Sequence, residues 1–398
     1  MNNNKDKLNL VLDYNNLAMR SLFTCQFTET NVDISNFDTV EECDVLVRKL
    51  ASDIAFIIRT FVPDRVILAC DAKYPWRNNL YTANMDGKYK GTRDRDEKKN
   101  WTNIFNAFDT LKLILKERDF VVTELDRTEA DDIAAFWKEE LMDKNKESLI
   151  LVSSDKDWTQ LVSFDGESQS FCACFNPIVN PKKQKKLYVT EEMKIWLDTP
   201  DKVDILFTNY NVMKKKINSL IQNDSKIYIE SIDADRVLLD KIMCGDDGDN
   251  VPAFYDYYKN GKKNRVTPLK ASHVFESLGI YSVDDLIKAN EQHMLKDALE
   301  KEMKRDVDVD FDDRLERQRK LVELKTKLFP DNIVQLFEKH KEDVKSIGYG
   351  MPVSTIRMDD ILRGTRYITE NFHKKAKENS IFNDFKSLSA FSNPNKLF

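Results

Sequence analysis

Leu149-Ile150-Leu151-Val152-Ser153-Ser154-Asp155-Lys156-Asp157 is an apolar run that stops abruptly at two carboxylates. A short, continuous aliphatic run of this kind suits a strand buried on both faces, as in a parallel sheet. The same arrangement recurs upstream. Asp13 ends Leu8-Asn9-Leu10-Val11-Leu12, and Asp71 ends Val66-Ile67-Leu68-Ala69-Cys70. Glu129, Asp131 and Asp132 open a helix-like stretch, and Asp246 and Asp249 sit in Gly245-Asp246-Asp247-Gly248-Asp249-Asn250. Carboxylates at the C-terminal ends of parallel strands converge on one edge of an α/β sheet, where such folds build their sites. Nine like charges gathered there repel one another unless cations neutralise them. Hard divalent ions with oxygen ligands, Mg²⁺ or Mn²⁺, are the natural partners.

Taken singly, each acid has a plainer explanation. An Asp after a strand is usually a turn residue or helix cap, and Asp131 and Asp132 suit the positive end of a helix dipole. Five clusters in such contexts are much harder to explain by capping.

The 398-residue chain is long enough for two or three domains with a real core. Its 41% apolar and 10% aromatic content fits a folded protein, and its 33% charged content a very polar surface. The net charge of −6 at first argues against a nucleic-acid partner. Setting the nine acids aside leaves 62 basic against 59 acidic residues, and the basic ones are clustered. Local patches decide the matter. Six scattered cysteines and four histidines give no zinc-site or disulfide spacing, and Phe171-Cys172-Ala173-Cys174-Phe175 alternates like a strand. Reduced, buried thiols of a cytoplasmic protein are expected. No apolar run approaches the length of a membrane span, and the polar Met1-Asn2-Asn3-Asn4-Lys5-Asp6-Lys7 does not read as a targeting segment.

Strand-like runs at 8–12, 65–70, 120–122 and 148–153 alternate with helical spacing at 45–58, 101–118 and 128–142, the last with Thr128 as its cap. That alternation predicts a mostly parallel, twisted sheet flanked by helices, joined by right-handed crossovers. The order loosens after Phe175, where Lys182-Lys183-Gln184-Lys185-Lys186, two helices and Lys214-Lys215-Lys216 fill 176–235. Beyond it the chain reads as helical. The division is an α/β domain over 1–240 with an insertion near 176–235, then a helical domain over 241–398. Nothing in the sequence demands a dimer, so a monomer is expected.

Between Asp71 and Trp101 lie Lys73-Tyr74-Pro75-Trp76-Arg77 and Gly87-Lys88-Tyr89-Lys90-Gly91-Thr92-Arg93-Asp94-Arg95. Lys and Arg neutralise phosphates, and interleaved aromatic faces stack unpaired bases. A solvated loop whose aromatics pack on the core would look the same in composition. Its place directly after one proposed metal ligand favours function.

In combination these residues resemble the flap endonuclease-like 5′ nuclease family of PIN-like fold, and within it the replicative RNase H and 5′→3′ exonuclease type of T-even phages. The similarity runs in motif order over roughly 8–270. It rests most on Glu129-Ala130-Asp131-Asp132, Ser153-Ser154-Asp155-Lys156-Asp157-Trp158 and Gly245-Asp246-Asp247-Gly248-Asp249-Asn250-Val251-Pro252. The resemblance implies two Mg²⁺ ions, with Mn²⁺ able to substitute. Asp13, Asp71, Glu129 and Asp131 would serve the first, with Asp132 nearby, and Asp155, Asp157, Asp246 and Asp249 would surround the second. It further implies an arch over 73–100 in which Lys90 and Arg93 grip the scissile phosphate and Tyr89 stacks on a base, with Arg77, Lys88 and Arg95 as weaker contacts. The implied activity is cleavage of branched or flapped DNA and RNA–DNA hybrid, removing RNA primers and 5′ flaps during phage DNA replication.

One departure stands out. Where the family carries a helix–turn–helix with a Gly-rich hairpin, this chain has Tyr257-Tyr258-Lys259-Asn260-Gly261-Lys262-Lys263-Asn264-Arg265, without a Gly-x-Gly. A helix-turn-helix-type DNA-binding element is still expected in the helical domain, with duplex contact over 245–275 from Lys262, Lys263, Arg265 and Lys270. In the last residues, Ile381, Phe382, Phe385 and Leu388 share one helical face, which docks on the chain itself or on a sliding clamp or single-strand-binding protein. Two other readings compete: a branched-DNA-binding protein of the same fold without catalysis, and a PIN-type ribonuclease. The full acidic set argues against the first, and the arch and Gly-Asp-x-x-Asp-Asn segments against the second.

Overall fold

A computed structural model describes residues 7–25, 35–81, 89–91, 97–179, 182, 184–199, 212–223, 227–260, 262–347 and 356–362. Ten strands are present among them: β1 (Leu8–Asp13), β2 (Arg65–Ala69), β3 (Val121–Thr123), β4 (Ser148–Val152), β5 (Ser163–Asp165), β6 (Ser170–Asn176), β7 (Lys185–Val189), β8 (Ile227–Ser231), β9 (Asp256–Lys259) and β10 (Lys262–Arg265). The helices are α1 (Tyr14–Cys25), α2 (Val40–Phe61), α3 (Trp101–Glu117), α4 (Ala130–Lys138), α5 (Glu191–Asp198), α6 (Val212–Asn223), α7 (Ala234–Cys244), α8 (Pro268–Leu278), α9 (Val283–Glu291), α10 (Met294–Met303), α11 (Phe311–Val322), α12 (Asp331–Ile347) and α13 (Met358–Leu362).

The central sheet runs β3-β2-β1-β4-β6-β7-β8, with β5 added antiparallel to β6. Strands β3, β2, β1, β4 and β6 are mutually parallel; β7 turns antiparallel to β6, and β8 lies parallel to β7. Alternate residues of β1 explain why the run is apolar but for Asn9, whose amide donates to Glu147 and the Ser148 carbonyl. Leu8, Leu10 and Leu12 pack under α1, α2 and α3, while Val11 joins Ile67, Leu149 and Leu151 beneath α4 and α12. Each such buried aliphatic side chain stabilises the fold by about 1.5–3 kcal/mol. Helix α2 begins at a capping box in which Thr39 Oγ1 accepts the Glu42 N–H and the Glu42 carboxylate accepts the Thr39 N–H.

Four expectations differ from the structure. Helix α4 starts at Ala130 with Glu129 as its cap, because the Thr128 hydroxyl donates to the Leu125 carbonyl at 2.8 Å instead. The 176–235 segment holds strands β7 and β8 as well as two helices, so it extends the sheet. The expected domain break at 240/241 falls within α7, and α12 and α13 return to pack on opposite faces of the α/β sheet. Helices α7 to α11 share a separate core built on Leu239, Ile242, Phe254, Phe275 and Leu286. Between α7 and α8 lies the antiparallel β9–β10 ribbon, where a helix–turn–helix turn was expected. Among the described residues no helix is long and apolar enough to cross a membrane, and none of the six cysteines is paired.

Candidate active site

Strands β1, β2 and β4 end side by side, and that register delivers the acids. Asp13 pairs in register with Ala69, two residues before Asp71, and Leu12 with Val152, three before Asp155. Asp13 is buried, its Oδ1 accepting the Asn16 N–H at 3.1 Å and its Oδ2 the Ser153 hydroxyl at 2.7 Å. Ser154 is tied across to Asn16 Oδ1, locking the β1 and β4 ends together. Asp71 Oδ1 accepts the Ala130 N–H at 2.8 Å, which fixes it against the start of α4. From that helix, Asp131 accepts the Trp158 indole N–H at 2.7 Å. Asp155 accepts the Asp157 N–H at 2.9 Å.

A tight turn returns the last two acids to the same place. Gly245 holds φ +70°, and a Cβ there would collide with the Val251 and Pro252 carbonyls. Asp246 and Val251 exchange main-chain hydrogen bonds of 2.9 and 2.7 Å across the turn. Asp246 Oδ1 accepts the Gly248 N–H at 2.7 Å.

The electrostatics show that these groups crowd one another. Burial, then the Asp71 charge, pushes Asp13 up to about 7. Burial, then Asp155, pushes Asp157 up to about 7 against the pull of Lys241. Asp131 is driven well above the carboxylate range by burial, with Asp155, Glu129 and Asp157 adding to it and Lys90 opposing. Two ammonium groups relieve part of this. Lys90 Nζ lies 2.5 Å from Glu129 Oε1 and 3.7 Å from Asp249 Oδ2, and its main-chain N–H donates to the Asp249 carbonyl at 2.9 Å. Lys241 Nζ bridges Asp157 and Asp246, at 2.5 Å from Asp246 Oδ2. Among the described residues no group of three acids, cysteines or histidines closes as a ready-made cation cage. The two lysines stand between members of the acidic set.

Residues 8–194 match the family model described as the 5′-3′ exonuclease, N-terminal resolvase-like domain. Over that span, just under half of the chain, the sequence is similar to the 5′-3′ exonuclease domain. Three solved structures share the fold of the chain. The T5 D15 protein co-crystallised with metal ions is 16% identical with a TM-score of 0.51, over 86% of this chain and 100% of its own. T5 5′-exonuclease with bound divalent zinc is 18% identical with a TM-score of 0.52, over 86% and 99%. The bacteriophage T5 D15 flap endonuclease in a pseudo-enzyme–product complex with DNA and metal ions is 16% identical with a TM-score of 0.51, over 86% and 99%. No curated protein matches the sequence.

The basic segment after Asp71 is only partly a surface feature. The chain turns inward through a 3-10 turn at Trp76–Leu80, so Arg77 is 1% exposed. Its guanidinium sits 3.1 Å from Glu129 Oε2 and 2.7 Å from Asp132 Oδ1, and Trp76 Nε1 donates to Asp132 Oδ2 at 3.1 Å. The assignment of Arg77 to nucleic acid therefore gives way to that of an internal counter-ion for Glu129 and Asp132. Tyr89 is corrected in the same way. At 5% exposed its ring is covered and not open to a base: its hydroxyl donates to Glu129 Oε2 at 3.0 Å and its ring packs 5.8 Å from that of Tyr81. Lys88, Arg93 and Arg95 lie outside the described residues, as does the tail from 363 to 398.

In the ribbon, Lys262 and Lys263 are exposed, with Lys263 paired to Asp256 at 3.0 Å, and Arg265 grips Asp247 through Nη2 at 2.5 Å. Lys270 is half-exposed near the start of α8. Sequence reasoning missed Lys241, Asn16, Ser153 and the two indoles that hold Asp131 and Asp132.

Proposed function

We propose that this protein is a divalent-cation-dependent 5′→3′ exonuclease and flap endonuclease. It would act on branched or flapped DNA and RNA–DNA hybrid, removing RNA primers and 5′ flaps during phage DNA replication. The observation that carries this reading is the oxygen-only acidic set at one sheet edge, crowded enough to push Asp13 and Asp157 up to about 7 and bridged by two lysines. Oxygen donors without sulfur or imidazole suit Mg²⁺, with Mn²⁺ as a substitute.

Asp13, Asp71, Glu129 and Asp131 would hold one ion, with Asp132 supporting Glu129 from behind through Arg77. Asp155, Asp157, Asp246 and Asp249 would serve the other, several of them through water. Two such ions supply an activated water and charge stabilisation for in-line displacement at phosphorus. The chain's own groups set the geometry around them. Ser153 and Asn16 fix Asp13, Trp158 fixes Asp131, and the Gly245 turn fixes Asp246. Lys90, held at φ +54° against Asp249 and Glu129, is the group that meets the scissile phosphate, joined by Arg93. The ribbon lysines, Arg265 and Lys270 would follow the duplex backbone.

The test is cleavage of one 5′-flap substrate with Mg²⁺ and with EDTA, the product mapped to the nucleotide. Metal-dependent cleavage near the branch supports the reading; cleavage unaffected by EDTA, or none at all, refutes it.

A further inference from the structure

Lys241 occupies the last turn of α7, in the helical part of the molecule, yet its ammonium lies among acids of the sheet edge. It bridges Asp157, which follows β4, and Asp246, which follows the Gly245 turn. The side chain is only 15% exposed, and those of Asp157 and Asp246 are 16% and 26% exposed. The bridge thus joins two core clusters, one beneath the sheet and one among α7 to α11. A salt bridge this enclosed gains little net stability over an apolar pair of similar size, so stabilisation alone is a weak reason for placing a lysine there. The two carboxylates it takes are ones that the proposed function assigns to a divalent ion.

We propose that Lys241 is a built-in competitor for the second cation position. Its ammonium holds Asp157 and Asp246 until a divalent ion displaces it. The inference rests on the proposed function's assignment of those acids to metal. Ammonium and cation cannot both lie within bonding distance of the same oxygens without severe repulsion. Displacement then has two consequences in this chain. The tie between α7 and the 155–157 turn loosens, and a cationic side chain is released at the rim of the site, where phosphate would approach.

Two measurements test this without reference to cleavage. In the wild-type protein, lysine acetylation by sulfo-N-hydroxysuccinimide acetate, followed by mass spectrometry, reads the reactivity of Lys241 directly. Saturating Mn²⁺ should raise its labelling at least threefold, while lysines far from the site, such as Lys296, stay constant. Mn²⁺ titration by calorimetry should show at least tenfold tighter binding in Lys241→Met, with Lys241→Arg returning towards wild type. Unchanged Lys241 labelling at saturating Mn²⁺ overturns the inference, as does equal Mn²⁺ affinity in wild type and a folded Lys241→Met. If the wild type and both variants fail to bind Mn²⁺ at all, the metal assignment of the proposed function is what falls. If Lys241→Met does not fold, the labelling result on the wild type decides alone.

Discussion

Replacing Arg77 with methionine keeps the length of the buried stem and removes the charge that two buried carboxylates share. Glu129 loses least, because Lys90 Nζ at 2.5 Å and the Tyr89 hydroxyl at 3.0 Å remain on it. Asp132 loses its Arg77 counter-ion and keeps the Trp76 indole N–H and the Glu129 N–H, at 3.1 and 3.0 Å. An anion so buried escapes by taking a proton, and that route caps the cost. From an ordinary Asp near 3.9, protonation at pH 7 costs about 4 kcal/mol, and at pH 5 about 1.5 kcal/mol. The cap agrees with the roughly 3–5 kcal/mol lost when one partner of a buried pair is removed. The sign is definite. Burial already raises Asp132 in the wild type against the pull of Arg77, and losing Arg77 raises it further, so the variant's added penalty is smallest at low pH and grows as pH rises. Urea denaturation followed by circular dichroism at pH 5 and pH 7 should therefore show a gap from wild type that widens with pH. A loss below about 0.5 kcal/mol at both pH values, with weaker nucleic-acid binding and a shallower salt dependence, would show that Arg77 is a surface contact after all.

Two further predictions concern the cap of α2 and the arch lysine. Glu42, whose carboxylate accepts N–H groups from Ser35, Phe37 and Thr39 at 2.9–3.2 Å, is lowered to about 2, these bonds outweighing burial. Because it is depressed, its contribution is present above pH 4.5 and is lost as pH falls towards 2. Glu42→Gln should cost about 1–2 kcal/mol near neutral pH after solvent screening, converging with wild type in acid, as read by thermal denaturation. Lys90→Ala should lower the single-turnover rate of flap cleavage by at least a hundredfold while changing substrate affinity much less, if Lys90 acts on transition-state charge. Weaker binding with the saturating rate preserved would make it a general phosphate contact.

The sheet was legible where burial on both faces left a nearly unbroken apolar run, as in β1, β2 and β4, and where residues alternate, as in β6. It was not legible in β7, which opens with Lys185 and Lys186 near the sheet's edge, where solvent tolerates charge. The β9–β10 ribbon did announce itself: Asn260-Gly261 between tyrosines and lysines is a strong hairpin signal, overridden by the expectation of a helical turn. The acids were readable because strand-end position constrains them. Arg77 and Tyr89 were not, since basic-aromatic composition is the same for a loop that binds phosphate and one that folds under α4. Lys241 carries no local signature at all. A lone lysine in the last turn of a helix reads as a dipole partner, and only tertiary packing brings it to Asp157.

The central claim is that the acids at the sheet edge act on phosphodiester through divalent cations, and Asp157→Asn tests it most directly. The substitution keeps the shape and removes one negative charge beside Asp155 and Lys241. Single-turnover cleavage of a 5′-flap substrate in Mg²⁺, with substrate affinity measured in parallel, should show cleavage abolished and binding equal to or tighter than wild type. An Asp157→Asn protein that cleaves at the wild-type rate would contradict the account.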